Sequence, residues 1–472
     1  MENKDTAIII TTRDRKELVR DCIQSILDSE YKSVDIYVVD NGGKDGTYTE
    51  LTNTFGDKII CMRTDVNRGS GSGTNIGYQE AIKKEYKYYA ICDDDIIVDS
   101  KMIGRLVDFL EKHPKVGAVG PKIYQMKNRN ALQSWNNYLG WDGAFNLSTD
   151  GCGKSGEDLE EYIYVDYIPA CFLFVRGELA RKITTIETEY YAYFDDVDFT
   201  QKVIIMGYKL AIYRDAYMWH GLLSMTGKQK ETTYTEYYWN RSRLSFYIKY
   251  TPKDKLESMI RVFMERMYSV CYEKIYRKRE LEKNIIIEAY MDALSGITGE
   301  RDEMVVEYEK EKDVLKNTFS NKKVYVQQMY NESILVGLLN ETNAQIYVNL
   351  TEKEFIELKE HLLEFDNINK EIHRIEMKES EVEYDVKLKY IFHVRDIEDY
   401  DEEYMYVDRF GNYVRTNQDA LYWKDFYNNR DVFIKMFKDV FVSKAKALRE
   451  RWLKEGKYYF ATESQLKEHK II

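Results

Sequence analysis

Short apolar runs alternate with polar segments along the first part of the chain, in the pattern of an α/β protein. The runs at residues 7–11, 34–39, 59–62 and 88–92 predict strands, and polar or Gly-rich segments follow them. An amphipathic stretch from about Lys16 to Leu27 predicts a helix after the first strand. Strands that alternate with helices favour a mostly parallel sheet, in which ligands bind beyond the carboxyl ends of the strands.

The pattern changes after about residue 254. Apolar residues recur there at helical spacing as far as about residue 317. Beyond residue 331, segments with the pattern of strands and segments with the pattern of helices are mixed. In that last part the patterns predict strands at 333–339 and 344–350, a helix at 352–365, a hairpin around Gly411 and a helix at 425–453. We therefore divide the chain into residues 1–250, a helical segment at 251–330, and an α+β region at 331–472 with no assigned role.

Length and charge narrow the class of protein. The chain has 472 residues, more than one hydrophobic core usually serves, so two or three domains are expected. A net charge of −12 argues against general binding of nucleic acid. No apolar stretch approaches the roughly 18–20 residues that span a bilayer, and the N-terminus lacks the features of a signal peptide. The sequence therefore predicts a cytoplasmic protein and leaves open binding at the inner face of the membrane.

Three adjacent carboxylates, Asp93, Asp94 and Asp95, end the strand predicted at residues 88–92. Such neighbours repel one another unless a cation or a solvated turn compensates. In an extended segment Asp93 and Asp95 point the same way, and hard oxygen ligands at that spacing suit Mg²⁺ or Mn²⁺. The alternative is a solvated acidic turn before the helix that begins near Ser100.

A Gly-rich segment at residues 67–77 joins the third predicted strand to a helix near 75–84. Its glycines would let backbone approach a ligand closely, and Arg68 beside a helix N-terminus would suit a phosphate. A flexible surface loop is the alternative. No Gly-Lys-Ser/Thr follows, so the segment is not a Walker A loop.

A second acidic group, Asp195, Asp196 and Asp198, follows Phe194 at a predicted helix start. Aspartates are common in the first turn of a helix, but a partly desolvated carboxylate could also act as a general base toward a hydroxyl. His220 follows the next predicted strand, where it is a structural residue or a metal ligand.

Together these residues resemble glycosyltransferase family 2, the inverting enzymes of the GT-A fold, and in particular its rhamnosyl- and galactofuranosyltransferase branch. The similarity covers about residues 1–250. Its motifs are residues 10–15 (ITTRDR), 39–47 (VDNGGKDGT), 67–77, 93–95 (DDD), 194–198 (FDDVD), His220 and 237–241 (YYWNR). The 194–198 motif has Asp195 where family members usually have Glu.

The resemblance implies a GT-A nucleotide-sugar-binding fold, with a mostly parallel central sheet and flanking helices, followed by the helical segment and the α+β region. It also implies a metal-dependent enzyme that moves a sugar from a UDP- or dTDP-sugar donor to a hydroxyl of a glycan or lipid-linked acceptor. Bacterial cell-surface polysaccharide synthesis is the expected setting. The resemblance leaves open whether the protein associates with a membrane surface or with copies of itself.

The matching positions carry the roles that the resemblance implies. Donor binding falls to Thr12, Arg13, Arg15, Asp40, Asn41, Arg68, Gly69, Asn75, Asp93 and Asp94. The expected ligands of a Mn²⁺ or Mg²⁺ ion are Asp93, Asp95 and His220. Asp196 is the expected catalytic base, and Asp195 is its competitor.

Acceptor binding is less well defined by sequence. Trp135 and Trp141 lie between the two acidic motifs, where they are either platforms for a sugar ring or core residues. Two other functions compete with sugar transfer. A sugar nucleotidyltransferase would carry a Gly-rich loop after the first strand, which is absent here, and a non-catalytic glycan-binding scaffold would not need both acidic motifs and His220.

Overall fold

The computed structural model divides into two packed units. It describes residues 4–141, 145–221, 231–308, 314–329, 332–362, 371–378 and 382–472. The first unit comprises Met1–Met267, Asn284–Val306 and Phe437–Ile472, and the second comprises Tyr268–Lys283 and Glu307–Met436.

These units do not coincide with the three segments expected from sequence. Part of the helical segment after residue 250, together with the last 36 residues (Phe437–Ile472), packs in the first unit. The expected boundary at residues 330 and 331 lies outside the described residues. The three-part division therefore stays a prediction.

The first 300 or so residues contain thirteen described strands and nine described helices. The strands are β1 (Thr6–Thr12), β2 (Val34–Asn41), β3 (Ile60–Thr64), β4 (Tyr88–Cys92), β5 (Ile96–Val98), β6 (Val116–Gln125), β7 (Leu132–Ser134), β8 (Asn136–Leu139), β9 (Leu147–Asp150), β10 (Tyr162–Val165), β11 (Phe172–Arg176), β12 (Lys209–His220) and β13 (Glu231–Thr232). The helices are α1 (Lys16–Asp28), α2 (Thr47–Phe55), α3 (Ser70–Ala81), α4 (Met102–Lys112), α5 (Gly177–Ile183), α6 (Asp195–Ile205), α7 (Tyr234–Tyr250), α8 (Leu256–Tyr276) and α9 (Glu280–Ser295).

The rest of the described chain adds seven strands and six helices. The strands are β14 (Glu307–Tyr308), β15 (Lys323–Gln328), β16 (Gln345–Val348), β17 (Ile375–Met377), β18 (Val386–Ile391), β19 (Met405–Asp408) and β20 (Tyr413–Val414). The helices are α10 (Val314–Phe319), α11 (Ser333–Glu341), α12 (Glu352–Leu362), α13 (Asn417–Lys424), α14 (Phe426–Lys454) and α15 (Glu463–Glu468). No helix within the described ranges combines the length and the apolar character needed to cross a bilayer.

A ten-stranded mixed sheet forms the centre of the first unit. Its order is β10-β12-β6-β11-β4-β1-β2-β3, with β5 paired to β12 and β7 to β6. Strands β4, β1, β2 and β3 are mutually parallel, as expected from sequence. Most residues of β4, β1 and β2 are buried, whereas β3 at the edge is largely only partly buried. Strand β11 runs antiparallel to β4, with Phe172 opposite Cys92, so its first residues lie at the carboxyl ends of the parallel strands. That edge therefore gathers the segments that follow β1, β2 and β4 and the segment that precedes β11.

The Gly-rich segment is part of a helix, which corrects the prediction that a turn precedes a helix near residue 75. Helix α3 already begins at Ser70, so Gly71, Gly73 and Gly77 are helical. A Cβ atom on Gly73 would lie 2.6 Å from Cγ2 of Thr11, and one on Gly77 would lie 2.7 Å from Cγ2 of Ile9. These glycines therefore allow α3 to pack closely on β1, a role that outweighs their low helix propensity.

A six-stranded sheet forms the centre of the second unit. Its order is β17-β16-β15-β18-β19-β20, and every pairing except that of β19 with β20 is parallel. The predicted strand at 344–350, the hairpin around Gly411 and the helix at 425–453 are confirmed. The strand predicted at 333–339 is wrong, because Ile334, Leu335, Leu338 and Leu339 are buried on one face of helix α11. A short apolar run has no periodicity that separates a buried helix from a buried strand.

Candidate active site

A cavity of about 1390 Å³ opens at the carboxyl edge of the first sheet. The segments after β1 and β4, the Pro169–Ala170 segment before β11 and the first turn of α6 line it. It brings together nine of the site residues expected from sequence: Thr12, Arg13, Arg15, Asn41, Gly69, Asp93, Asp94, Asp195 and Asp196. Asp95 and His220 join this group through their contact with Asp93.

The three adjacent aspartates differ in their exposure and in their partners. The Asp93 side chain is 48% exposed, whereas those of Asp94 and Asp95 are only 5% and 6% exposed. Nη1 of Arg15 donates a hydrogen bond of 2.9 Å to Oδ1 of Asp94. Arg15 thereby compensates the buried charge of Asp94, while Asp93 and Asp95 remain available to another cation.

Asp93, Asp95 and His220 have the geometry of a divalent cation site. One ligand atom from each lies within 4.8 Å of the others. Nε2 of His220 is 3.1 Å from Oδ1 of Asp95 and 3.6 Å from Oδ2 of Asp93. Two carboxylate oxygens and one imidazole nitrogen suit Mn²⁺, and Mg²⁺ accepts the oxygens more readily than the nitrogen.

Gln133 orients His220, and sequence reasoning did not identify it. Its Oε1 is 2.9 Å from Nδ1 of His220. Because a glutamine oxygen only accepts, the contact places a proton on Nδ1. Nε2 donates to Asp95, which helps to raise the pKa of His220 despite desolvation, and a cation that displaced this proton would meet the Nε2 lone pair. Such outer partners orient metal-binding histidines in many proteins. Nothing in the sequence distinguished Gln133, since the contact joins residues 87 positions apart.

The carboxylates perturb one another. Desolvation in the cleft, together with the charges of Asp95 and Asp94, raises the pKa of Asp93 to about 7 despite the opposing charge of His220. Desolvation and the charge of Asp196 raise the pKa of Asp195 to about 8. A bound cation would relieve this repulsion, so the electrostatics of the site favour a metal.

Asp196 is oriented by two backbone donors. The N–H of Ala170 donates to Oδ2 at 3.0 Å, and the N–H of Val197 donates to Oδ1 at 2.8 Å. Burial still outweighs these two hydrogen bonds, so the pKa of Asp196 lies above its ordinary value. Asp196 is thus a fixed carboxylate and a stronger base than a solvated aspartate.

The segment that leads into this acidic pair has a strained backbone. Tyr191, Tyr193 and Phe194 have φ angles of 67°, 62° and 68°, in the left-handed region that residues with a Cβ rarely adopt. Such conformations cost on the order of 1–3 kcal/mol each and persist only where the surroundings enforce them. The strain sets the direction in which α6 begins, and hence the positions of Asp195 and Asp196.

Three successive carbonyl groups of this segment are held by side chains and backbone. Nη2 of Arg241 donates to Tyr190 O at 2.8 Å, the N–H of Ser70 donates to Tyr191 O at 3.0 Å, and Oγ of Ser242 donates to Ala192 O at 2.9 Å. Arg241 is buried and also donates to Gly299 O. The 237–241 motif is therefore a support of the site.

Gly69 makes one of these contacts sterically possible. Its φ is 83°, and a Cβ atom there would lie 2.3 Å from the carbonyl oxygen of Tyr191. The Gly-rich segment thus lets backbone approach backbone, in addition to any approach to a ligand. The glycine pattern identified this segment in the sequence, but the sequence did not indicate that Tyr191 is the residue that Gly69 approaches.

A buried charge cluster fixes the body of α6. Asp198 is fully buried, and Nζ of Lys202 and Nζ of Lys249 lie 2.7 and 2.8 Å from its two oxygens. Glu187 lies 3.1 Å from Lys249, and the hydroxyl of Tyr250 donates to Asp198. Although burial opposes it, the two lysine charges lower the pKa of Asp198 to about 2. Asp198 lies in the first turn of α6, where aspartates are common.

Three of the expected donor-binding residues do not line the cavity. Asp40 is buried, where it accepts a hydrogen bond from Gly43 N and lies 3.7 Å from Arg63. Oδ1 of Asn75 accepts hydrogen bonds from Thr185 Oγ1 and Ile186 N. Arg68 is exposed beside the cavity wall formed by Gly69. Donor contacts by these residues stay predictions.

The two tryptophans expected to bind acceptor also lie outside the cavity lining. Trp141 packs against Phe246 and Tyr247 of α7. Trp135 is partly buried, and its N–H donates to Asp150 O. Trp239 lines the cavity instead, next to Tyr193 and Phe194. An aromatic wall near the acidic pair therefore exists, but it comes from α7.

Residues 7–179 match the family model of Glycosyl transferase family 2, and this part of the chain is a family 2 glycosyltransferase domain. For this part of the chain, the family match and the mostly parallel sheet order confirm the predicted family and its GT-A fold. The rhamnosyl- and galactofuranosyl-type branch stays a prediction.

Two curated relatives illustrate the similarity. A poly-β-1,6-N-acetyl-D-glucosamine synthase from Staphylococcus epidermidis is 26% identical over 27% of this chain and 30% of its own length. The match thus spans less than a third of that relative. An uncharacterized glycosyltransferase from Haemophilus influenzae is 24% identical over 60% of this chain and 85% of its own length.

Among solved structures, a mannosyltransferase from Pyrobaculum calidifontis in complex with GDP-Man and Mn²⁺ is 14% identical, with a TM-score of 0.38 over 61% of this chain and 74% of that chain. The backbone overlap is low, so the fold assignment rests on the family match and on the sheet order.

We expect Gly69→Ala to lower activity at least tenfold, because a Cβ at this position displaces Tyr191 and with it the start of α6. Gly46→Ala is the control, since Gly46 has a φ of 85° and an added Cβ there meets nothing within 4 Å. Gly46→Ala carries the left-handed cost of about 1–2 kcal/mol, whereas Gly69, with a ψ of 165°, lies in a region that essentially only glycine adopts, so Gly69→Ala adds backbone strain to the clash with Tyr191. The thermal melt and the sugar-transfer rate are measured for both variants. Equal losses of transfer rate in the two variants would contradict this role of Gly69.

We expect Gln133→Leu to weaken Mn²⁺ binding by roughly 10–100-fold, because His220 loses the partner that fixes its tautomer. Gln133→Glu keeps an acceptor at the same place and should bind Mn²⁺ nearly as well as the wild type. Calorimetric titration of the protein with Mn²⁺ alone measures both. If Gln133→Leu bound Mn²⁺ as tightly as the wild type, Gln133 would have no role in the cation site.

We expect Asp198→Asn to destabilise the protein at pH 7 by about 3–5 kcal/mol, because it leaves two buried lysines short of an anion. The folded-state pKa lies below the unfolded value of about 3.9, so the wild type carries this stabilisation above pH 4 and loses it as the pH falls toward 2. The difference between variant and wild type should therefore narrow from pH 5 to pH 3 in urea unfolding. Asp254→Asn, which removes an exposed ion pair with Lys470, serves as the control and should change little at either pH.

Proposed function

We propose that the protein is an inverting glycosyltransferase that moves a sugar from a nucleoside diphosphate donor to a hydroxyl group of a glycan or lipid-linked acceptor. One observation carries the proposal. Asp93, which with Asp95 and His220 could hold a cation, lines the same cavity as a second carboxylate pair, Asp195 and Asp196, that is not part of this group.

Donor binding requires positive charge in a strongly acidic cavity. Arg13 and Arg15 line it, but Arg15 already pairs with Asp94. A diphosphate would be repelled by the remaining carboxylates unless a cation lay between them. When bound, a divalent ion would neutralise the diphosphate and stabilise it as a leaving group. Of the two candidates, Mn²⁺ fits the mixed oxygen and nitrogen ligands better.

Acceptor activation falls to the carboxylate pair. Asp196 is held by two N–H donors, so its orientation is defined before an acceptor arrives. Its raised pKa increases its affinity for the proton of an attacking hydroxyl. The hydroxyl oxygen would then bond to the anomeric carbon as the bond to the diphosphate breaks. Attack from the face opposite the leaving group inverts the anomeric configuration in one step, and no enzyme nucleophile is required.

Asp195 supports this role through its charge. Its pKa of about 8 means that the pair carries little more than one negative charge near neutral pH. One protonated carboxyl group beside one carboxylate avoids the full repulsion of two adjacent anions. We assign the base to Asp196 because its oxygens are oriented by the backbone.

The aromatic wall supports exclusion of water and acceptance of a sugar. Tyr193, Phe194 and Trp239 pack against one another at the side of the acidic pair. The guanidinium of Arg243 lies 6.0 Å from the centre of the Trp239 ring. Dry surroundings limit hydrolysis of the donor in place of transfer. The Staphylococcus epidermidis relative is a poly-β-1,6-N-acetyl-D-glucosamine synthase, which supports a glycan product.

We expect Asp196→Asn to abolish sugar transfer while leaving donor binding within about threefold of the wild type, because it removes the base and keeps the shape. Asp95→Ala should abolish transfer and also remove the Mn²⁺-dependent part of donor binding. The experiment combines a radiolabelled transfer assay with thermal shift in UDP- and dTDP-sugars, with and without Mn²⁺.

Asp195→Asn is the matched control, since the same substitution one residue away should leave measurable turnover. Near-normal transfer by Asp196→Asn would move the base to Asp195. If the wild type showed neither a metal-dependent thermal shift nor any transfer across these donors, the proposed function would be wrong.

A further inference from the structure

A second, open groove of about 590 Å³ lies on the edge strand β10 of the first sheet. Its lining contains no residue of the catalytic cavity. Asn136, Glu160, Glu161, Tyr162, Ile163 and Tyr164 line it. The Tyr164 side chain stands out, because the residue is 54% exposed and its ring lies edge-on to that of Tyr162 at 5.6 Å. Tyr138, 43% exposed, is hydrogen-bonded through its hydroxyl to Asn136 at 2.5 Å.

The hairpin of β8 and β9 connects this groove to the catalytic cavity. Leu147, Ser148 and Thr149 of β9 line the catalytic cavity, whereas Asn136 of β8 lines the groove. Asn136 pairs with Asp150, the neighbour of Thr149. Paired residues on antiparallel strands lie about 5 Å apart. The two binding surfaces are therefore separated by the width of one hairpin, a distance that a chain of a few sugar units spans.

Two hydrogen bonds fix the hairpin against the end of β10. Oδ2 of Asp166 accepts from Leu139 N at 2.9 Å, and Asp166 N donates to Asn137 O at 2.9 Å. Asp166 directly follows the last residue of β10, so the groove and the cavity wall are parts of one rigid arrangement. A ligand that occupies both would meet a preformed surface.

The lining has the chemistry of a carbohydrate site. Tyrosine rings offer an apolar face to the C–H groups of a sugar, and their hydroxyls remain available for hydrogen bonds. The amide of Asn136 and the carboxylates of Glu160 and Glu161 can bond to sugar hydroxyls. Glu160 and Glu161 of the lining are exposed, and the exposed Glu157 and Asp158 precede them closely in the chain. Their charge would repel a phosphate-bearing or other anionic polymer within a Debye length of about 8 Å.

We propose that this groove binds the body of an uncharged glycan acceptor whose growing end reaches the catalytic cavity. The proposal rests on the proposed function, because it extends the acceptor site of that reaction. It names the acceptor class as an oligosaccharide of several neutral units, and it assigns Tyr164 and Tyr138 as the residues that hold the chain. A second copy of the protein, added to the free edge of β10, is the competing occupant.

Binding of glycans tests the groove directly. The full-length protein is applied to an array of oligosaccharides of two to eight units, with β-1,6-linked N-acetylglucosamine oligomers among the neutral probes and phosphate-linked polymers as the anionic set. We expect binding to neutral oligomers of about four units or more and none to the anionic set. Tyr164→Ala should weaken that binding at least tenfold, and Tyr164→Phe, which keeps the ring, should stay within threefold.

Tyr459→Ala is the matched control, because Tyr459 is 48% exposed and does not line the groove. It should bind glycans as the wild type does. Since Tyr164 is exposed, its truncation should not alter the thermal melt, which is measured for each variant.

The groove and the proposed reaction fail in different ways. Absence of glycan binding by the wild type, or binding that Tyr164→Ala leaves unchanged, overturns the groove even if sugar transfer is observed. If the wild type sediments as a dimer, Tyr164→Ala sediments as a monomer, and no glycan binding is found, the edge of β10 binds a second copy of the protein instead of a glycan. Glycan binding through Tyr164 without any donor-dependent transfer would keep the groove and overturn the proposed function.

Discussion

Repulsion among five carboxylates at one edge of a sheet is the constraint on which this site depends. Asp93, Asp94, Asp95, Asp195 and Asp196 are brought there by the ends of β4 and the start of α6. Arg15 pairs with Asp94 and His220 contacts Asp95, whereas burial and the neighbouring carboxylates raise the pKa values of Asp93 and Asp195. Folding holds these charges together at a cost, and a divalent ion with a diphosphate donor is the chemistry that would relieve it.

The scaffold overcomes that repulsion by fixing the backbone around α6 from several sides. Three left-handed residues precede the helix, and three consecutive carbonyls before it are held by Arg241, Ser70 and Ser242. Behind them, the cluster of Asp198, Lys202, Lys249 and Glu187 ties the helix to α7. All of these contacts except that of Lys202 with Glu187 are within hydrogen-bond distance, and together they oppose movement of α6. The strained segment is therefore a property of the site, and its supports explain why an arginine and a glycine far apart in sequence are needed there.

Much of the fold and part of the site could be predicted from sequence. Apolar runs located β1, β2, β3 and β4, and the acidic motifs located Asp93, Asp95 and Asp196, because local pattern and side-chain chemistry are visible in the order of residues. Prediction was wrong for α11, since a short apolar run fits a buried helix or a buried strand. It did not identify Gln133 or Trp239, whose positions depend on contacts across 87 residues and on the packing of α7. It nominated Trp135 and Trp141 for the acceptor, yet neither lines the cavity.

The sequence by itself determined the chemical groups of this protein: an acidic cation-binding motif, a second acidic motif, a histidine, and glycines that permit close backbone approach. Only the tertiary structure decided which of these groups meet. The antiparallel placement of β11 brings Ala170 to Asp196, the register of β12 brings His220 to Asp95, and the packing of α3 places Gly69 against Tyr191. The physical reason is that side-chain chemistry is a property of each residue alone, whereas distance between residues far apart in the chain follows from strand order and helix packing.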